Sequence, residues 1–416
     1  MSPSPRAVAL AVVLALGLLV ADWPVIVVLA VALATATVVD ARAARRPVTV
    51  SRQVPGRLAR GVPAALTVTV GDAGARRVEV RQPRVPDVDV EPGTGAGGLE
   101  ATVVARRRGH HELPPVAVRV TGPLGLGRWD REHGGRHVLE VHPDLPAARR
   151  LATAVRQARF RDPGLRRRGA IGLGTDFDQV REHQPDDDIR HVNWAVTVRQ
   201  GRLMTNQYRE DTERDVVALV DCGRLMAAPV PGRPGGSPDR TRLDVAVDAA
   251  AALAAVADAV GDRCGALAYD DEVRARVLPR RSSGDDVVRA LHAVEPRPVD
   301  SDAERAFRAV GTTKRALVVV LTDVVDAAAA RALLDAVPVL ARRHVVVVAS
   351  CTDVEVEAAA AGDDERALVA ARVLAGRDRA VAEIRRRGAI VVEAPPDRFS
   401  AAVVAVYLDA KSAARL

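Results

Sequence analysis

Three hydrophobic patterns follow one another along the chain. Apolar residues run almost unbroken through 7–20 and again through 25–39, split by a short turn holding Asp22 and Pro24. Each run is shorter than the ~20 residues of a spanning helix, but with its flanks it crosses a slightly thinned bilayer. From 47 to about 143 the pattern turns to period two: 66–70, 77–81 and 116–120 alternate apolar with polar positions between Gly- and Pro-rich turns. This is the signature of a small antiparallel β-domain. After 215 short apolar runs alternate with longer helical segments. Strands are predicted at 216–220, 264–269, 316–322, 345–350 and 389–392, with an edge strand at 273–277. Helices are predicted at 243–260, 285–294, 302–310, 326–342, 365–387 and 399–411. Strand–helix alternation implies an α/β domain with a doubly wound parallel sheet.

The domain plan is therefore a two-helix transmembrane anchor at 1–46, an antiparallel β-domain at 47–143, a connector at 144–214 and an α/β domain at 215–416. Within the connector, 145–160 reads as a helix. Arg6 precedes the first apolar run, Arg42, Arg45 and Arg46 follow the second, and Asp22 lies between them. The positive-inside rule then places a two-helix protein in the cell membrane with both termini cytoplasmic. Membrane lipid is the first expected partner.

Composition narrows the function. The net charge of +7 comes from 60 basic and 53 acidic residues, a mixed surface, and aromatics make up only 2% of the chain. With so little for bases to stack on, no nucleic-acid partner is expected. Cys222, Cys264 and Cys351 form no CxxC and fall on or beside predicted strands, which fits buried thiols in a reducing compartment.

No phosphate-binding loop is present: 311–314 lacks the spacing, and the glycine-rich 169–174 has no strand leading into it. GxSxG is absent. His110, His111 and Glu112 lack the spacing of a zinc site. Two acids do end predicted strands, Asp221 and Asp323, at the edge where an open α/β sheet presents its ligands. A divalent-metal site of the von Willebrand factor A type uses such a pair together with the hydroxyls of an Asp-x-Ser-x-Ser element. Here Gly223 and Leu225 occupy the serine positions, and Ser301 or Asp302 would supply a further ligand. A hard cation wants nearly complete oxygen ligation. The expectation is thus no cofactor beyond a weakly held Mg²⁺ at a degenerate crevice.

The densest polar stretch is 166–210, where Arg181, Glu182, Asp187, Asp188, Arg190, Trp194 and Arg199 follow closely on one another. It resembles the signature of the bacterial family catalogued as domain of unknown function 58. The matching positions are Gly174, Phe177, Arg181, Glu182, Asp187, Asp188, Arg190, Trp194, Arg199, Gly201 and Leu203. Asp176, Val180, Val192 and Asn193 are conservative departures; His183, Asp186 and Val198 depart further. The segments 108–115 and 122–126 are similar to the end of that family's β-domain. The resemblance implies a membrane-anchored, von Willebrand factor A-like protein associated with AAA+ ATPases of the MoxR type. On that reading the chain is a non-enzymatic adaptor that presents its α/β domain to the ATPase in the cytoplasm. The alternative is a metal-dependent hydrolase built on His183, Asp187 and Asp188. For the adaptor, Arg181, Arg190 and Arg199 are expected to pair with Asp176, Glu182, Asp187 or Asp188, and Trp194 to pack against the α/β domain.

Overall fold

A computed structural model describes residues 2–17, 22–161, 171–185, 187–209, 214–230, 240–310 and 315–413, with side chains at all of these except 158–161, 171–179 and 207–209. The chain forms two compact units, Met1–His142 and Pro143–Leu416.

The first unit begins with helices α1 (Pro5–Gly17) and α2 (Trp23–Ala44). Helix α2 has 22 residues and is long and apolar enough to cross a membrane; α1 is a shorter apolar helix of 13 residues. One candidate span near the N-terminus therefore stands, where two were expected. The alternation that follows folds as read. In the strands Ala64–Val70, Arg77–Arg81, Gly98–Ala105 and Val116–Thr121, inward Leu66, Val68, Val80, Val103 and Val118 are buried while their neighbours face out. The pairing is antiparallel except that Arg57–Ala59 runs parallel to His137–His142. His111 bonds the carbonyl of Arg107 at 2.9 Å and Glu112 pairs with Arg136 at 2.9 Å, so both side chains are engaged by neighbouring turns of the same domain.

The second unit is a six-stranded sheet of β1 (Asp215–Asp221), β2 (Arg263–Tyr269), β3 (Val273–Arg280), β4 (Ala316–Leu321), β5 (Val345–Cys351) and β6 (Ile390–Ala394), in the order β3-β2-β1-β4-β5-β6. All neighbours are parallel except β3, which runs antiparallel to β2 at the edge. Every residue of β1 and β4 is buried, because helices cover both faces. Val216, Ala218 and Val220 point to one layer, with α3 (Leu145–Arg161), α5 (Arg242–Val260), α6 (Gly284–Leu291) and α11 (Phe399–Ser412). Val217 and Leu219 point to the other, with α7 (Ala303–Arg308), α8 (Arg331–Ala341) and α10 (Glu365–Arg386). Helix α3, read above as part of a connector, buries Ala148 and Ala152 in this core. A short helix α9 (Val354–Ala360), not foreseen, follows β5.

Candidate functional site

The parallel pairing of β1 with β4 carries Asp221 and the following Thr322 and Asp323 to one edge of the sheet. Asp221 is 6% exposed and both its oxygens are engaged: Oδ1 accepts from Ser301 Oγ at 2.5 Å and Gly223 N at 2.8 Å, and Oδ2 accepts from Thr322 Oγ1 at 2.5 Å. Burial pushes its pKa above the usual carboxylate value, and those three donors offset part of the rise. Asp323 faces protein cations instead. Arg242 Nη1 lies 2.6 Å and Arg377 Nη1 3.8 Å from its Oδ1, and Ser350 Oγ donates at 3.4 Å. Its pKa too is raised by burial and pulled back by the two guanidiniums.

Both arginines are themselves held. Arg242 also pairs with Asp353 at 3.0 Å and donates to the Cys351 carbonyl at 3.2 Å. Arg377 donates to Ser350 Oγ and the Cys351 carbonyl, each at 3.0 Å, and pairs with Glu393 at 3.1 Å. A cavity of about 300 Å³ adjoins, lined among others by Asp221, Arg224, Tyr269, Ser301, Asp323 and Arg331.

These residues do not fit a divalent cation. One carboxylate is neutralised by guanidiniums, and the other already accepts from two hydroxyls and an amide. A side chain at 223 would run into Ser301 Oγ and come within 2.9 Å of the Val299 carbonyl, so the missing serine has no room. Asp302, foreseen as a ligand, instead caps α7 by accepting from Arg305 N at 2.9 Å. Among the described residues no three His, Cys, Asp or Glu side chains gather as a metal site.

The polar signature forms an antiparallel hairpin, Ile171–Glu182 paired with Met204–Arg209, bulged between Phe177 and Gln179. Between its arms lie a 3₁₀ turn, Ile189–His191, and α4 (Trp194–Gln200). The acids organise this insert. Arg181 grips Asp187 through two bonds of 2.6 and 2.8 Å, and Asp187 also accepts from Gln184 N at 2.8 Å. Asp188 caps the 3₁₀ turn through Arg190 N and pairs with the Arg190 guanidinium at 2.7 Å. Arg181 holds the Asp187 carboxyl below the usual range, and Arg190 brings Asp188 down to about 2. Glu182 pairs with Arg202 at 3.3 Å, and His183 Nδ1 meets Thr205 Oγ1 at 2.7 Å. Asn193 caps α4 by accepting from Val196 N at 3.1 Å, and Gly201 closes it at φ 67°. Arg199 sits in the last turn of α4. The side chains of Asp176 and Phe177, and Asp186 altogether, lie outside the described residues.

Trp194 corrects the expectation made of it. The indole is 61% exposed, at the first turn of a short helix whose hairpin buries Val192 and Met204 instead. Val198, one turn on, is 82% exposed, and Ile189 and Leu203 are exposed nearby. An i, i+4 pair shares one helix face, so α4 presents an apolar face with no cover among the described residues. Arg242, Arg377 and this face are the features that sequence reasoning missed.

Residues 179–365 match the family described as "Protein of unknown function DUF58". An uncharacterized protein of Mycobacterium bovis and one of Mycobacterium tuberculosis are each 31% identical over 109 residues, 26% of this chain. The match spans only 32% of the length of those relatives. The PKD domain of an M14-like peptidase from a Thermoplasmatales archaeon aligns with 20% of this chain and 90% of its own, at 14% identity and a TM-score of 0.13.

Proposed function

Because the chain belongs to the DUF58 family, whose description assigns no activity, we propose from its own geometry that it is a non-enzymatic, membrane-anchored adaptor. Helices α1 and α2 would form the membrane hairpin, with both termini cytoplasmic. The α/β unit would be a von Willebrand factor A-like domain presented to a MoxR-type AAA+ ATPase. ATP hydrolysis would belong to that partner.

One observation carries this reading: the exposed Trp194–Val198 face on the signature insert. An exposed tryptophan costs the isolated protein solubility and contributes much when buried in an interface. The ion pairs around it behave as scaffold, since Asp187 and Asp188 are each taken by an arginine. The same pairs count against the alternative metal-dependent hydrolase, which needs Asp187, Asp188 and His183 free for a metal. Recognition would also proceed without Mg²⁺, because the carboxylates of Asp221 and Asp323 are already engaged by the protein's own donors and cations.

The test is co-purification of the detergent-solubilised full chain with a MoxR-type ATPase of its own organism, with and without nucleotide. Stable recovery of the ATPase supports the adaptor; none in either condition rejects it.

A further inference from the structure

Residues 122–127 of the β-domain meet both apolar helices at the height where each stops being apolar. On α2 the last exposed apolar residues are Val38 and Val39, and the next residue, Asp40, is 2% exposed. Its carboxylate accepts from the backbone N–H groups of Leu124 at 2.8 Å, Leu126 at 2.7 Å and Gly127 at 2.9 Å. On α1 the apolar surface begins just after Ser4, whose Oγ donates to the Gly125 carbonyl at 2.5 Å and whose N–H donates to the Leu126 carbonyl at 2.7 Å. Ser2 and Pro3 extend this contact by pairing with Arg128 and Gly127. The loop is thus bonded to both helices at their polar–apolar boundary.

Its surroundings suit a lipid surface. Leu124, at the loop's outer side, is 60% exposed although its neighbours Gly122 and Gly125 are buried. Arg6, Arg42 and Arg45 are exposed on the adjoining helix ends, and Arg45 lies over the half-buried Trp129 ring at 5.3 Å. An apolar tip, an indole and several arginines at the end of a spanning helix match the headgroup zone of an anionic bilayer.

We propose that residues 122–127 form a wedge seated in the membrane interface. Leu124 reaches the acyl boundary, and Arg6, Arg42 and Arg45 face lipid phosphates. The β-domain is then held flush against the membrane instead of swinging on a linker. This rests on α2 being in the bilayer, and the experiment separates the two claims.

The full-length protein is reconstituted into bilayers of phosphatidylcholine with an equal part of phosphatidylglycerol. An environment-sensitive fluorophore is attached in one sample through Leu124→Cys and in another through Val31→Cys, mid-way along α2. The native thiols Cys222, Cys264 and Cys351 are buried and are not labelled in the folded chain. Spin-labelled lipids then report depth. The wedge predicts strong quenching at 31 by deep labels and at 124 by shallow labels, with the 124 signal weaker in pure phosphatidylcholine. Quenching at 31 with a water-like, unquenched signal at 124 overturns the wedge and leaves the anchor standing. Equal quenching at 124 in both bilayers overturns the role given to the arginines. Absence of quenching at 31 overturns the membrane reading and the wedge with it.

Discussion

Arg242 Nη1 lies 2.6 Å from Asp323 Oδ1, with both side chains almost wholly buried. A protein cation thus occupies the carboxylate that a metal crevice would need free. The pair joins the start of α5 to the end of β4, so it also ties a helix to the sheet.

Arg242→Ala should leave a buried carboxylate whose nearest remaining cation is the more distant Arg377. Breaking one partner out of a buried pair costs about 3–5 kcal/mol, and the Tm of the α/β unit should fall accordingly. For the unaltered chain, adding Mg²⁺ or EDTA should leave Tm unchanged. A Tm that rises with Mg²⁺ would show that the ion competes successfully with Arg242.

Asp221 sets a pH dependence of known sign. Its folded pKa is raised above 3.8, chiefly by burial, so the folded state holds the proton more tightly than the unfolded chain. Its contribution is therefore complete below the unfolded value and is lost as pH rises through the folded one. Asp221→Asn keeps the shape and removes the titration. The Tm of the variant relative to the parent should climb as pH rises above the unfolded value of 3.8 and level off once the folded carboxyl has ionised. A difference independent of pH would mean that Asp221 does not titrate in this window.

Much of this architecture is legible in the residues. The strands β1, β4 and β5 are doubly buried and so read as unbroken apolar runs, and Asp221 and Asp323 read as strand ends for the same reason. What guards them does not. Arg242 lies 81 residues from Asp323, and nothing in a helix-start arginine announces that the topology will bring the two together. The hairpin of Ile171–Glu182 and Met204–Arg209 escapes notice because charged and amide side chains fill positions where a strand usually alternates. Trp194 misleads for a different reason. An indole is most often core, and only the outward face of α4 shows that this one is not.

The signature insert should depend on the Arg181–Asp187 fork. Asp187→Ala removes the acceptor for Arg181 and for the Gln184 amide together, a loss of about 1–3 kcal/mol of local stability. Amide hydrogen exchange at Gln184 should accelerate while exchange in β1 stays slow. Gly201→Ala, at φ 67°, should cost about 1 kcal/mol in the same insert. If exchange in β1 accelerates equally, the insert is part of the sheet's cooperative core and the scaffold account is wrong.

Asp40→Ala strips the acceptor from three backbone N–H groups at once. A penalty of about 2–4 kcal/mol is expected in the first unit. Protease cleavage within residues 122–127 of the reconstituted chain should rise sharply. Gly127→Ala should give a similar result, since a Cβ there meets the backbone of Ala41. Resistance equal to the parent in both variants would show that the loop is held by other contacts.

The adaptor reading is tested most directly by measuring the Kd between the full chain and a MoxR-type ATPase of its own organism, for the parent and for the double variant Trp194→Ser, Val198→Ser. Both side chains are exposed, so stability should stay within about 0.5 kcal/mol of the parent. Binding should weaken at least about tenfold, a loss of ~1.4 kcal/mol or more. An unchanged Kd, or a loss of binding that merely follows a fall in Tm, would contradict it.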